Sequence, residues 1–248
     1  MKKESSSVAA VMPAFNEGSN IERLVRLFPS ESVGRVIVVS DGSTDDTAAR
    51  ARAAGADVVE LASRTGCGPA IRSGLDFASR NGFDIAVVIA GNGKDDPRQI
   101  DRVLQPILAG QADLVQGSRY MDGGESANMP LHRKIGTRAY SFLFSLLCGQ
   151  RITDGTNGYR AIRMKILKDP KINLDQDWLN NYEVESYLFF QAIRLGYRVT
   201  EVGVSKICEP YERRCAEGWR GEGPREHRRG GRSPDRGARG DTPRQDPE

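Results

Sequence analysis

The chain is 248 residues long, 38% hydrophobic and 28% charged, which excludes a collagenous, disulfide-dense or wholly disordered protein and leaves room for one large α/β domain. Its 36 basic and 33 acidic residues nearly cancel, to +3, so no nucleic-acid partner is implied and any basic site is local. Cys67, Cys148, Cys208 and Cys215 form no Cys-x-x-Cys pair, which speaks against zinc and against a disulfide framework and fits a cytoplasmic protein.

The opening MKKESSSVAAVMPAF has too short an apolar run for a signal peptide, and the longest apolar stretch, Ser141 to Cys148, is far below a membrane span. Any membrane contact is therefore expected to be peripheral, at the cytoplasmic face. Val8 to Met12 reads as a first strand. Ser19 with Glu22 makes a capping box for an amphipathic helix through Ile21, Leu24, Val25 and Phe28. Arg35 to Val39 is a second strand, a helix capped by Thr44 runs through Ala54, and Asp57 to Leu61 is a third strand. Gly68 to Asn81 is helical, Asp84 to Ala90 is a near-continuous apolar strand, Pro97 to Ala109 is a helix with proline at its first position, and Asp113 to Gln116 is a strand. Thr137 to Leu147 is a helix apolar on more than one face, which suits core packing or, alternatively, a bilayer surface. Short apolar strands separated by single helices predict a mostly parallel sheet with helices on both faces and ligands at the carboxyl ends of the strands. The chemistry is then expected in the loops after Met12, Val39, Ala90 and Gln116.

From Glu212 onward there are ten arginines, eight acids, seven glycines and four prolines, with no Ile, Leu, Val, Met, Phe or Tyr. Such a segment cannot bury enough apolar area to offset its ordering entropy. A folded domain over 1–211 and a disordered Arg/Gly/Pro-rich tail over 212–248, inert or arising from a reading-frame change, are expected.

The first loop, Pro13-Ala14-Phe15-Asn16-Glu17, offers an aromatic face and hydrogen-bonding groups to a sugar or base. The second puts Asp41 at a strand end, where a carboxylate accepts from a nucleobase or ribose or simply forms the turn. No strand is followed by a GxGxxG loop, which argues against a dinucleotide oxidoreductase. His132 and His227 suggest no catalytic pair and read as surface residues.

VMPAFNEGSNIERLV and VIVVSDGSTDDTAARA together resemble the nucleotide-sugar half of glycosyltransferase family 2, and the likeness continues through GCGPAIRSGLDFA, GSRY, RITDGTNGYRAI and YEVESYLFFQAIRLGYRVTEVGVS. It spans roughly residues 6 to 207 and is closest to the polyprenyl-phosphate glycosyltransferases. The resemblance implies the type A fold and assigns nucleotide binding to Pro13, Phe15, Glu17, Val39 and Asp41. It places Arg119 at a phosphate, Arg133 less securely on the acceptor side with Lys134, Arg138 and Arg160, and Asp154 near sugar and acceptor. Family members carry Asp-x-Asp before a proline, holding a divalent cation against the diphosphate; counting back from Pro97 puts Ala90 and Asn92 at those two positions, with Gly91 between them and Lys94 two residues on. Three readings stay open. Asn92 with Asp95 or Asp96 supports a weak Mg²⁺ or Mn²⁺, Lys94 is a fixed charge on the diphosphate, or the site is crippled. An Arg and a Lys that family members carry after the last strand have no clear match in KICEPYERRCAEGW.

The reaction so implied is inverting transfer of a hexose from a nucleotide diphosphate sugar, UDP- or GDP-linked, to a polyprenyl phosphate. An acceptor phosphate needs arginines rather than a strong base. The alternatives are transfer to a sugar hydroxyl with Asp154 as base, or a nucleotide-binding pseudoenzyme.

Overall fold

The computed structural model describes residues 6–207; the expected tail at 212–248, Cys208, Cys215 and His227 lie outside them. Seven strands form one sheet in the order β3-β2-β1-β4-β7-β5-β8, where β1 is Val8–Ala14, β2 Arg35–Asp41, β3 Asp57–Leu61, β4 Ile85–Val88, β5 Leu114–Ser118, β7 Arg160–Arg163 and β8 Val199–Gly203. A short parallel pair, β6 (Glu125–Ala127) with β9 (Ser205–Ile207), lies apart from it. All pairings in the main sheet are parallel except those of β7, which runs antiparallel between β4 and β5.

Period-2 alternation divides the sheet between two cores. Ala10, Met12, Val38, Ile85 and Val87 pack with Ile21, Leu24 and Val25 of α1 (Ile21–Arg26), Ala51 of α2 (Thr47–Ala53) and Ile100, Val103, Leu104 and Ile107 of α4 (Ile100–Leu108). Ala9, Val11, Ile37, Val39 and Val88 face Ile71 and Leu75 of α3 (Cys67–Arg80), Met164 and Ile166 of α6 (Met164–Leu167), and Leu188 and Phe189 of α7 (Glu183–Arg194). Each large aliphatic side chain so buried contributes roughly 1.5–3 kcal/mol over leaving it exposed. The mostly parallel, two-faced α/β architecture expected from the sequence is the one observed.

Several boundaries differ for identifiable reasons. Asn20, not Ser19, precedes α1, without a side-chain cap bond. α2 starts at Thr47 because Asn16 accepts from the Thr44 N–H, and Asp45 accepts from both the N–H and the hydroxyl of Thr47. β1 and β2 continue two residues past their expected ends, to Ala14 and Asp41. Pro97–Gln99 is a 3-10 turn before α4, with the Asp96 carboxylate accepting from Arg98 N–H. The helix expected at 137–147 is longer, α5 covering Leu131–Cys148, and it is not a core helix: only Ser141 and Phe144 are buried in it.

Candidate active site

The ends of β1 and β2 build one wall. Asp41 is buried, and its carboxylate accepts from Thr65 N–H at 2.7 Å, Thr65 Oγ1 at 2.8 Å and Gly66 N–H at 2.9 Å. Those three bonds leave about one of the roughly four lone-pair positions of a carboxylate. The loop they hold runs so close to Gly42 (φ +63°) that a Cβ there would meet the Ser63 and Arg64 backbone, so the residue after Asp41 has to be glycine. Arg64 in turn lies 4.2 Å over the Phe15 ring. Glu17 donates its N–H to Thr47 Oγ1 at 2.8 Å and accepts from the Asn20 amide, tying the first loop to the start of α2. Phe15 and Asp41 thus sit on consecutive strand ends, joined through the 63–66 loop. Val39 is wholly buried against α3, so its side chain packs in the core and does not face this wall.

The loop after β4 departs furthest from the sequence expectation. Gly91 donates to Pro13 C=O at 3.0 Å, and a Cβ there would press on Ala14 and Pro13, so it brings the loop against β1. Asn92 is exposed, with Oδ1 accepting from Lys94 N–H at 3.2 Å. Asp95, expected as a metal ligand with Asn92, is instead buried and paired through both oxygens with Lys206 Nζ, at 2.9 and 2.8 Å. Asp96 is taken by Arg98, whose bonds hold its carboxyl below the usual carboxylate range. A hard divalent cation needs several anionic oxygens turned toward it. Here Ala90 brings none, Asn92 brings one amide, and Asp95 is already neutralised. Among the described residues no three His, Cys, Asp or Glu side chains are grouped to hold a metal ion. The residues present do not fit Mg²⁺ or Mn²⁺.

Arg119, just beyond β5, and Asp154 form a buried pair. Arg119 Nε and Nη2 donate to the two carboxylate oxygens at 2.6 and 2.7 Å, its backbone N–H adds a third bond at 3.0 Å, and Thr156 Oγ1 donates to the same carboxylate at 3.0 Å. Burial opposes the charge on Arg119, but the bonds to Asp154 outweigh it and the guanidinium pKa is raised. Asp154 therefore spends its lone pairs on positioning Arg119, while Nη1 takes no part in the pair. Glu201 of β8 supports the turn behind, accepting from Thr153 and Asp154 N–H at 2.6 and 2.9 Å.

A cleft of about 990 Å³ joins these parts. Pro13, Ala90, Asn92, Lys94, Arg119 and Lys206 line one side; Arg133, Tyr140, Phe144 and Leu147 of α5 and Trp178, Tyr182 and Phe190 line the other. Cys67 also borders it, with burial pushing its thiol pKa up to about 12, so it is protonated near neutrality. Phe15, Glu17, Val39, Asp41, Gly91, Asp95 and Asp154 are not on this surface; apart from Val39 they shape the loops that bear it. Arg160, expected on the acceptor side, is buried instead, donating to Asn157 C=O at 2.7 Å and to Glu185 C=O, and burial lowers its pKa. Arg138 stacks at 4.9 Å on Tyr120, and His132 is exposed as expected. Lys206 was missed by sequence reasoning; its one signal was a lysine three residues after β8.

On α5, Leu131, Ile135, Phe142, Leu143, Leu146 and Leu147 are 59–73% exposed. Arg133, Lys134 and Arg138 rise from the same helix. No helix of the described residues is long and apolar enough to cross a membrane.

The sequence model for glycosyl transferase family 2 matches residues 9–169. The chain is 34% identical over 202 residues to polyprenol monophosphomannose synthase of Mycolicibacterium smegmatis, covering 79% of this chain and 75% of that protein. It is 34% identical over 206 residues to undecaprenyl-phosphate mannosyltransferase of Micrococcus luteus, covering 81% and 83%. Among solved structures, glucosyl-3-phosphoglycerate synthase from Mycobacterium tuberculosis in complex with Mg²⁺ and UDP is similar with a TM-score of 0.65 and 25% identity, over 87% of this chain and 75% of that one.

Proposed function

The chain belongs to glycosyltransferase family 2 and is a glycosyltransferase, and we propose that it transfers a hexose from a nucleoside diphosphate sugar to a polyprenyl phosphate with inversion at the anomeric carbon. The observation that carries this reading is the two-sided cleft. Its strand-end loops bring lysine and arginine for phosphates, and α5 and the 176–191 segment bring aromatic and aliphatic side chains together with Arg133, Glu183 and Glu185, next to the exposed apolar face of α5. The named relatives act on polyprenol phosphates, and the solved relative binds UDP.

In this reaction a phosphate oxygen of the acceptor attacks C1 of the sugar from the face opposite the leaving diphosphate; the new C1–O bond forms as the bond to the nucleoside diphosphate breaks. A phosphate monoester is largely ionised near neutrality, so no side chain has to remove a proton. Arg133 and the Nη1 edge of Arg119 hold the acceptor phosphate. Lys94 meets the charge that develops on the leaving diphosphate, and the wall from Phe15 to Asp41 holds the nucleoside. The engaged state of Asp154 argues against its serving as the base for a sugar-hydroxyl acceptor, because that role needs a carboxylate with a lone pair to spare. The polyprenol reaches the cleft from a bilayer on which α5 rests at the cytoplasmic face, its apolar residues in the headgroup region and its cations toward anionic lipid.

The test is transfer from radiolabelled UDP-glucose, UDP-N-acetylglucosamine and GDP-mannose to polyprenyl phosphate in vesicles, read as solvent-extractable label. A second reading, nucleotide binding without turnover, rests on Ala90. It is supported if nucleoside diphosphates raise the melting temperature while neither transfer nor hydrolysis occurs.

A further inference from the structure

Glu201 of β8 is linked to both loops that carry the Arg119–Asp154 pair. Its Oε2 accepts from Thr153 N–H at 2.6 Å and Thr153 Oγ1 at 2.9 Å, and its Oε1 accepts from Asp154 N–H at 2.9 Å. An ionised carboxylate only accepts, so the Thr153 hydroxyl gives its proton to Glu201 and itself accepts from Ser118 Oγ, 2.7 Å away. Ser118 Oγ in turn accepts from Tyr120 N–H at 3.1 Å. The donors thus run one way, from the 118–120 turn that bears Arg119 to the carboxylate. Gln116, opposite Glu201 in the β5–β8 pairing, donates its Nε2 to Asp154 C=O at 3.1 Å. These cross-strand neighbours hold the backbone of Asp154 at both its N–H and its C=O.

Glu201, Thr153 and Tyr120 border a second cavity, of about 480 Å³, and not the substrate cleft that Arg119 lines. Burial pushes the Glu201 carboxyl up, against the bonds from Thr153 and Asp154. Those bonds therefore do not fully offset the cost of placing a charge here. We propose that Glu201 is a positioning residue for transfer: by holding the 153–154 turn and, through Thr153 and Ser118, the 118–120 turn, it sets Asp154 against Arg119 and so aims the guanidinium edge at the acceptor phosphate. The inference rests on the reading above that Arg119 meets that phosphate. Only a carboxylate suits the place. A glutamine is the same size but has one oxygen and one NH₂. In either orientation of its amide, the backbone N–H of Thr153 or of Asp154 faces another donor.

The test is a double-mutant cycle on transfer of labelled sugar to polyprenyl phosphate in vesicles, with Glu201→Gln, Arg119→Lys and the two combined. Glu201→Gln alone is expected to lower kcat/KM for the lipid at least tenfold, while the Kd of the nucleoside diphosphate changes less than twofold. In the Arg119→Lys background, where no fork is left to aim, the same substitution is expected to cost less than a further twofold. Equal losses in both backgrounds would mean that Glu201 serves the fold alone and would overturn the inference, as would undiminished transfer by Glu201→Gln. Absence of transfer by the unaltered chain overturns the function proposed above, and the inference with it. If Glu201→Gln does not fold, Thr153→Val, which removes only the hydroxyl link, enters the same cycle with the same two outcomes.

Discussion

Arg119 and Asp154 meet in a two-pronged ion pair whose side chains are 3% and 0% exposed. The two residues were expected to face the substrates separately, one on phosphate and one near the sugar. Joined, they act as a unit in which the carboxylate fixes the plane of the guanidinium. A lysine has no such fork to hold. Arg119→Lys is therefore expected to lower transfer at least tenfold with a much smaller loss of nucleotide affinity, in parallel kinetics and titration. Asp154→Asn leaves a buried guanidinium without its counter-charge and is expected to cost about 3–5 kcal/mol of stability, read by chemical denaturation. Wild-type stability in that variant would mean that the pair is not buried in solution.

Asp41 holds the 65–66 loop of the wall proposed to bind the nucleoside. Asp41→Ala removes three hydrogen bonds to a charged acceptor and is expected to cost about 1.5–3 kcal/mol of stability together with nucleotide affinity. A variant that loses affinity at full stability would show that the loop bonds carry little.

The parallel core was legible because β1, β2 and β4 are short, apolar and alternate with helices. The antiparallel β7 was not. Its four residues begin and end with arginine, and Arg160 is buried by pairing with backbone carbonyls of Asn157 and Glu185, which no local pattern announces. The same limit hid Lys206, whose partner Asp95 lies 111 residues away. Asp41 and Arg119 could be picked out from motifs at strand ends, but what each is bonded to depends on loops remote in sequence. Helix α5 shows the converse. Its apolar residues suited either core packing or a bilayer surface, and only the fold shows that most of them face outward.

Asp113, just before β5, gathers cations from two neighbouring elements: Lys165 Nζ at 2.7 Å, and Arg198 through Nε at 3.2 Å and its backbone N–H at 3.1 Å. Burial opposes its charge, yet the bonds from Arg198 and Lys165 hold the carboxyl well below the usual range. A depressed carboxyl stabilises the fold above its unfolded pKa, about 3.9, and that stabilisation is lost as pH falls below it. Asp113→Asn is expected to be less stable at pH 7 and to show a flatter decline between about pH 4 and pH 2 in melting experiments. Parallel acid limbs in the two proteins would remove Asp113 as a cause.

The outward face of α5 makes membrane contact measurable without any reaction. Leu143→Glu with Leu147→Glu is expected to abolish co-sedimentation with vesicles containing anionic lipid while leaving the melting temperature within a few degrees, since both side chains are already exposed. Undiminished binding of the double variant would place the contact elsewhere.

The most direct measurement compares two acceptors that differ by one group, polyprenyl phosphate and the corresponding polyprenol, with the same labelled nucleoside diphosphate sugar. Because the cleft offers arginines for a phosphate and Asp154 is engaged with Arg119, label is expected in the lipid only when the phosphate is present, as a product with inverted anomeric configuration. Transfer to the polyprenol or to a sugar hydroxyl, with none to polyprenyl phosphate, would contradict the proposed function.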